Sequence, residues 1–347
     1  MEKKRIDSLD ALRGLAALAV VLRHYTTIFS IDYGVPESFK FEFKYGYLGV
    51  ELFFLISGFV IFMTIEQVKS SKEFIIKRFV RLFPTYWLSI LITTSAILFF
   101  GLPKMQFSSK DFLVNLTMIQ DVVNPIFHTK HIDGVYWSLA VELLFYGFIL
   151  LLFKLKWLTH IKLIGFLWVL ISIICIPNDI SVFMLGVIFN LKWSPLFFAG
   201  ILFYKLWKYD LEKMKLSTHI LIVFSLLAYF FLTLTKFEEE SKSNIVECIV
   251  ATLFFIIFYL VAYQKLKFLG KNKVLLFLGK ISYPLYLIHQ NIGYIVLFYL
   301  IQTLKFDYQI IILIPILISI LLATIIVFKF EAVYLDRLKK YLLNKFQ

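Results

Sequence analysis

The chain has 347 residues, 60% of them hydrophobic, with a mean hydropathy of +0.83 and a net charge of +13. So apolar a composition excludes an ordinary soluble domain, and a basic excess that would suggest nucleic acid in a soluble protein here bears on membrane sidedness instead. The two cysteines, Cys175 and Cys248, both lie inside apolar runs, which excludes a disulfide framework or a thiolate metal site.

Spans of roughly 20 apolar residues recur along the chain. They predict an all-α integral membrane protein, a polytopic bundle of about ten transmembrane helices, at about 9–29, 45–65, 84–102, 135–153, 162–177, 194–206, 217–235, 245–263, 281–303 and 308–328. The first carries Arg13, Arg23 and His24 and has no small-residue cleavage site, so it reads as a span and not as a removable signal peptide. Between the fifth and sixth, Ser181–Leu191 is apolar and fits a re-entrant piece. The largest non-apolar connection, roughly Pro103 to Gly134, has the size of one loop, so a single transmembrane domain over 1–347 with no extra soluble domain is expected. With the N-terminus placed in the cytoplasm, 25 of the 36 Lys and Arg fall in inside segments and nine in outside ones. That bias predicts cytoplasmic termini at both ends.

An ionisable residue within a span is expensive and usually faces the bundle interior. The first span holds Asp10, Arg13, Arg23 and His24, the second Glu51, the fourth Glu142 and the ninth His289. Arg13 and His24 are eleven residues apart, which returns them to within about 20° of one helix face and separates them by ~16 Å. The modest side chains of Ala17, Val20 and Val21 lie between them. This pattern reads as a groove with a cation at one end and an imidazole deeper in. His24, Glu51 and Glu142 sit at similar depth, in the outer halves of three spans. Three titratable groups at one level suit acid/base chemistry, in which a second group positions the base. The competing reading is a set of charge pairs that hold helices together.

Lys77, Arg78 and Arg81 gather at the cytoplasmic mouth of the third span, followed by Pro84, Tyr86 and Trp87. Several cations beside a helix start suit a phosphate group, and they also suit a snorkelling anchor with its aromatic belt. His128, His131 and Asp133 in the next connection lack a further ligand and read as loop residues. No metal site is expected.

Five stretches in order resemble the acyltransferase family 3 membrane proteins, which acylate carbohydrates and other acceptors. They are Leu9–Leu15 closing with Arg23-His24-Tyr25, then Gly49–Phe59 with Glu51 and Ser57, then Lys77-Arg78 and Arg81 with Tyr86-Trp87, then Trp137-Ser138-Leu139 with Glu142, and finally Gly279–His289 with Tyr283. The family often ends its last span with Glu followed by Pro, whereas Glu331 is followed here by Ala332-Val333. The resemblance implies an enzyme that takes an acyl group, acetyl first of all, from cytoplasmic acetyl-coenzyme A to a hydroxyl of a cell-surface or lipid-linked carbohydrate. It implies Lys77, Arg78, Arg81, Tyr86, Trp87 and Arg13 as the donor-binding set and His24 as base or acyl relay. Glu142 or Glu51 would fix the tautomer of His24, and Trp137, Ser138, Ser57, Tyr283 and His289 would line the passage. It also implies a bacterial cytoplasmic membrane. No nucleic acid is expected as a partner, and a homo-oligomer is left open. A transporter that exports a glycan precursor, or an assembly subunit without chemistry, would share the midplane charges but leaves the ordered motifs unexplained.

Overall fold

A computed structural model describes residues 6–34, 42–175, 188–209, 216–235, 241–303 and 308–345. Among these, nine helices are long and apolar enough to cross a membrane. We label the main helices in chain order: α1 Asp7–Tyr33, α2 Lys44–Ile65, α3 Ser71–Phe100, the short α4 Ser109–Asn115 and α5 Gln120–Phe127, α6 Gly134–Lys154, α7 Trp157–Cys175, α8 Ser194–Lys208, α9 Leu216–Leu234, α10 Asn244–Ala262, α11 Lys273–Thr303 and α12 Leu313–Lys345. The fifth and sixth expected spans correspond to α7 and α8, while most of Ser181–Leu191 lies outside the described residues. α8 has 15 residues and is not among the nine, and nearly all of its side chains are buried. A helix apolar all round belongs in a core.

Two expected starts move, and α12 runs on past 328 to Lys345. α3 and α11 start well before 84 and 281 and carry Pro84 and Pro284 in their interiors. Neighbouring groups in a helical bundle re-satisfy the backbone that proline frees, so these prolines do not end the helices. In consequence Lys77, Arg78 and Arg81 stand within α3, past its first turn, and not at a helix start. Its orphan N–H groups at Ser71 therefore add nothing to an anion site there.

The chain folds as two compact units. The first comprises residues 1–11, 50–71 and 141–273. In it α8 is packed by α7, α9 and α10. Small residues let backbones meet: a Cβ on Gly58 would fall 2.2 Å from the Phe197 carbonyl oxygen, and one on Gly200 would fall 2.2 Å from that of Leu55. Aromatic rings fill the layer beside this crossing, with Phe145 stacked on Phe197 at 4.1 Å and lying parallel to Trp168.

The second unit comprises residues 12–49, 72–140 and 274–347. Gly14 lies against the backbone of Leu278 and Gly279 on α11, and Gly46 and Gly49 lie over the carbonyl oxygens of Ala19 and Ala16. At His24–Ile28 α1 widens into a π-helical turn before regular helix resumes at Phe29. Such turns are frequent at functional sites.

The connection between α3 and α6 is not one surface loop. Ser108 and Asp111 form a capping box at the start of α4, and the buried Asn115 bonds the carbonyls of Asp111 and Lys130. The Tyr86 hydroxyl donates to the Asn115 carbonyl at 2.8 Å, and Trp87 Nε1 donates to that of Leu116 at 2.9 Å. α3 runs on from Trp87 to Phe100, about 20 Å at 1.5 Å per residue. At the other end, Asn291 Nδ2 donates to the Ile132 carbonyl, and its backbone N–H donates to Asp133 Oδ2. α11 continues from there to Thr303, about 18 Å further. Residues 101–133 thus fold back along these helices as an insertion. Irregular backbone at membrane depth is tolerated where protein buries it or where it lines a water-filled cavity, and Asp111, Asn115, Met118, Gln120 and Asp133 are all buried.

Candidate active site

The π turn of α1 presents His24 and Tyr25 to α11. The two imidazoles meet, with His289 Nε2 3.2 Å from His24 Nδ1 and ring centroids 4.9 Å apart in an edge arrangement. Each ring has a backbone carbonyl on its Nδ1, Val20 for His24 at 2.9 Å and Tyr286 for His289 at 2.8 Å. A carbonyl oxygen only accepts, so both Nδ1 atoms carry hydrogen. In the neutral rings His289 Nε2 is then a lone pair facing the His24 Nδ1–H. The remaining nitrogen, His24 Nε2, holds an available lone pair. This is the arrangement of a base whose tautomer is held by a second group.

Tyr25 locks the dyad to its surroundings. Its hydroxyl donates to the His289 carbonyl at 2.6 Å and pairs with Ser319 Oγ at 2.8 Å. Gly293 makes room for it, since a Cβ there would fall 2.1 Å from the phenol oxygen. Tyr294 lies tilted at 6.4 Å from the His24 ring and edge-on to Phe29 and Tyr33. At the end of α1 the Lys104 ammonium sits 3.6 Å from Asp32 and over the Tyr33 ring.

The remaining residues singled out by the sequence divide between the units. Ser138 Oγ bonds the Tyr286 hydroxyl at 2.8 Å, three residues before His289. The Tyr283 hydroxyl donates to the Leu82 carbonyl at 2.9 Å, and the Arg81 guanidinium lies over the Tyr283 ring. Arg78 faces the Phe74 ring, and Lys77 pairs with Glu73 at 2.5 Å. Arg13 and Trp137 are half-buried in the same unit. Tyr86 and Trp87 use their polar ends to hold the insertion. In the other unit, Glu142 accepts from Ser57 Oγ at 2.6 Å and from the Tyr146 hydroxyl, and Glu51 accepts from the Tyr229 hydroxyl at 2.5 Å.

The sequence offered Tyr25 only as part of a motif and Asp133 and His131 only as loop residues, and it carried no signal for the other polar groups of the insertion. Asp133 is fully buried and accepts from the backbone N–H groups of Asn291 and Val135. Burial pushes its carboxyl up to about 7, against those two donors and the nearby His131, which hold it down. Among the described residues no group of three or more His, Cys, Asp or Glu is placed to hold a metal.

The profile of the acyltransferase domain family matches residues 6–329. The chain belongs to that family. Acyl transfer is accordingly its class of activity. It is 25% identical to ORF330, a candidate acetyltransferase of Acidianus two-tailed virus, over 83% of this chain and 84% of the viral protein. It is 26% identical to the peptidoglycan O-acetyltransferase OatA of Listeria monocytogenes over 47% of this chain and 26% of that protein. It is 25% identical to a candidate O-acetyltransferase of Staphylococcus aureus over 82% of this chain and 50% of that protein. The chain therefore spans most of the viral relative, half of the staphylococcal one and about a quarter of the listerial one. No solved structure matches.

Proposed function

We propose that this acyltransferase moves an acetyl group from acetyl-coenzyme A to a hydroxyl of a cell-surface or lipid-linked carbohydrate, with His24 as the base or acyl relay. The observation that carries this reading is the His24–His289 pair, whose hydrogen bonding leaves His24 Nε2 as an available lone pair in a partly buried site. In the direct route, Nε2 takes the proton of the acceptor hydroxyl as its oxygen attacks the thioester carbonyl. The C–S bond breaks, and the proton passes to the departing thiolate, so no net proton is consumed. In the relay route, Nε2 itself attacks the thioester and expels the thiolate, and the hydroxyl then takes the acetyl group from the acyl-imidazolium, freeing the imidazole and giving up the proton that leaves coenzyme A as the thiol. His289 then has the orienting role that the sequence offered to Glu142 or Glu51. Those two carboxylates are engaged by hydroxyls within their own unit.

Lys77, Arg78 and Arg81 would hold the phosphates of the donor, with the guanidinium groups suited to bidentate contact. Arg13 would help seat the donor. Family membership supports an acyl-coenzyme A donor, and the name of the listerial relative supports a carbohydrate acceptor. The charge bias of the connections supports cytoplasmic termini in a bacterial cytoplasmic membrane.

The test is calorimetric titration of acetyl-coenzyme A into the purified protein, comparing wild type, His24→Ala and the double variant Arg78→Ala/Arg81→Ala. The expected result is binding by wild type and His24→Ala, with affinity lost in the double variant and transfer lost in His24→Ala. A folded wild type with no affinity for acetyl-coenzyme A removes that donor.

A further inference from the structure

Arg23, the residue before His24, is a second arginine within the first span and takes no part in the transfer proposed above. It closes the regular part of α1, just ahead of the π turn. Its Nε donates to the Lys44 carbonyl at 3.1 Å, and its guanidinium carbon lies 4.8 Å from the centroid of the Tyr47 ring. Both partners belong to the first turn of α2. Gly46 brings that turn against α1, since a Cβ there would fall 2.2 Å from the Ala19 carbonyl oxygen and 2.8 Å from Arg23 Cβ. The guanidinium is thus held through its Nε and its face, and neither contact uses Nη1 or Nη2. Among the described residues no carboxylate pairs with Arg23. The next acidic residue along α1, Asp32, lies roughly 13 Å further along the axis and sits 3.6 Å from the Lys104 ammonium. Arg23 and His24 both keep part of their surface open, and neither the Nη atoms nor His24 Nε2 is enclosed. Tyr294 borders both, with its ring centroid 6.4 Å from that of His24 and its phenol within electrostatic reach of Arg23.

An arginine inside a span is costly, and such residues mark functional sites. Lys and Arg collect on the cytoplasmic side, whereas Arg23 stands towards the end of α1 that the charge bias of the connections places outside. A snorkelling anchor leaves its head free to follow the water; this head is pinned. Its free edge offers parallel N–H donors with a permanent charge, which match the two oxygens of a carboxylate or phosphate. A neutral hydroxyl uses neither the charge nor the fork. The phosphates of the donor are assigned to Lys77, Arg78 and Arg81, with Arg13 seating the donor, and Arg13 lies about 15 Å back along α1. An anion held at Arg23, beside the reacting nitrogen, therefore belongs to the other substrate.

We propose that Arg23 binds a carboxylate or phosphate group of the acceptor, so that the carbohydrate acylated at His24 is an acidic one. The inference rests on the acyl-transfer reading for the identity of the ligand, and it is read from sugar binding without donor. Two matched pairs would be titrated by calorimetry into the full-length protein: trigalacturonate against its neutral methyl ester, and glucose 6-phosphate against glucose. The variants are Arg23→Gln, which removes the charge, and Arg23→Lys, which keeps the charge without the fork. In at least one pair the anionic probe should bind wild type about tenfold or more tightly than its neutral counterpart, the worth of one charge-assisted hydrogen bond. The pair that shows it tells carboxylate from phosphate. Arg23→Gln should abolish the preference, and Arg23→Lys should keep part of it. Acetyl-coenzyme A affinity should stay within about twofold of wild type in both variants, the spread of an unaffected site, and an unchanged thermal midpoint certifies their fold. Wild type with no anionic preference in either pair overturns the inference, and so does a preference that survives in Arg23→Gln. Loss of acetyl-coenzyme A affinity in a folded Arg23→Gln also overturns it, by assigning the guanidinium to the donor. An anionic preference that Arg23→Gln removes, in a protein with no affinity for acetyl-coenzyme A, counts against the donor assignment and leaves the anion site standing.

Discussion

The two compact units treat buried polarity in opposite ways. In the unit built around α8, hydroxyls bond carboxylates, as with Ser57 and Tyr146 on Glu142 and Tyr229 on Glu51, and aromatic rings close the layer beside α8. Among the described residues, Thr218 is the one buried side chain there with a polar atom left unmet. In the unit that holds the His24–His289 pair, Ser89, Gln120, Asp121, Thr129 and Tyr294 all keep buried polar atoms without a protein partner. Serine and threonine in transmembrane helices commonly bond the carbonyl one turn back, as Thr26, Thr252 and Thr324 do here. Ser89 does not. Unmet groups of this kind are costly in an apo protein and are retained where a ligand or water completes them. The difference fits the proposed function, in which the unit with the His24–His289 pair carries the chemistry and the other contributes packing.

The sharpest break of that comparison is His24→Ala. It should lower transfer by about 10²–10⁴, the range of a positioned acid/base group, and leave the thermal midpoint unchanged. A midpoint collapse would make His24 a packing residue. Next comes Gly200→Ala in the other unit. Its Cβ would press on the backbone of Leu55, so it should cost about 1–3 kcal/mol of stability while each folded molecule still binds donor. Retained stability with lost binding would reverse the division between the units.

Tyr25→Phe tests whether the dyad is locked. It removes the hydroxyl shared by the His289 carbonyl and Ser319, and should cost about 1 kcal/mol together with part of the rate. An unaffected rate would mean that His289 is held by other contacts.

The smallest expected effect is a pH dependence. The folded Asp133 carboxyl titrates near 7, above its ordinary 3.8, so the folded state holds that proton more tightly. The stability this gives is complete below about 4 and is lost as pH rises through about 7. The difference in thermal midpoint between wild type and Asp133→Asn should therefore shift in favour of the variant across that window. A difference that shifts the other way, or stays constant, would show that the carboxylate is the favoured form in the fold.

Much of this was legible in the sequence. The apolar runs marked the helices because lipid leaves an unpaired backbone group no partner. Intramembrane ionisable residues marked His24, Glu51, Glu142 and His289 because burying such groups is costly. Which of these meet was not legible. Depth alone did not single out His289 as the ring that meets His24, since it is brought there by the π turn in α1 and by the close approach of Tyr25 at Gly293. The insertion was illegible for a related reason. A polar stretch looks the same whether water or protein satisfies it, and only the bonds from Tyr86, Trp87 and Asn291 reveal that it folds back.

The sequence by itself determined the class of the molecule, an all-helical membrane bundle with the ordered motifs of its family, since composition and spacing follow directly from the solvent each residue must face. The tertiary structure alone decided the tautomer of His24 and the folding-back of the insertion onto α3 and α11. It alone also decided which polar atoms remain unmet. Each of these depends on hydrogen bonds between residues far apart in the chain, and no local pattern records where a distant carbonyl or imidazole will arrive.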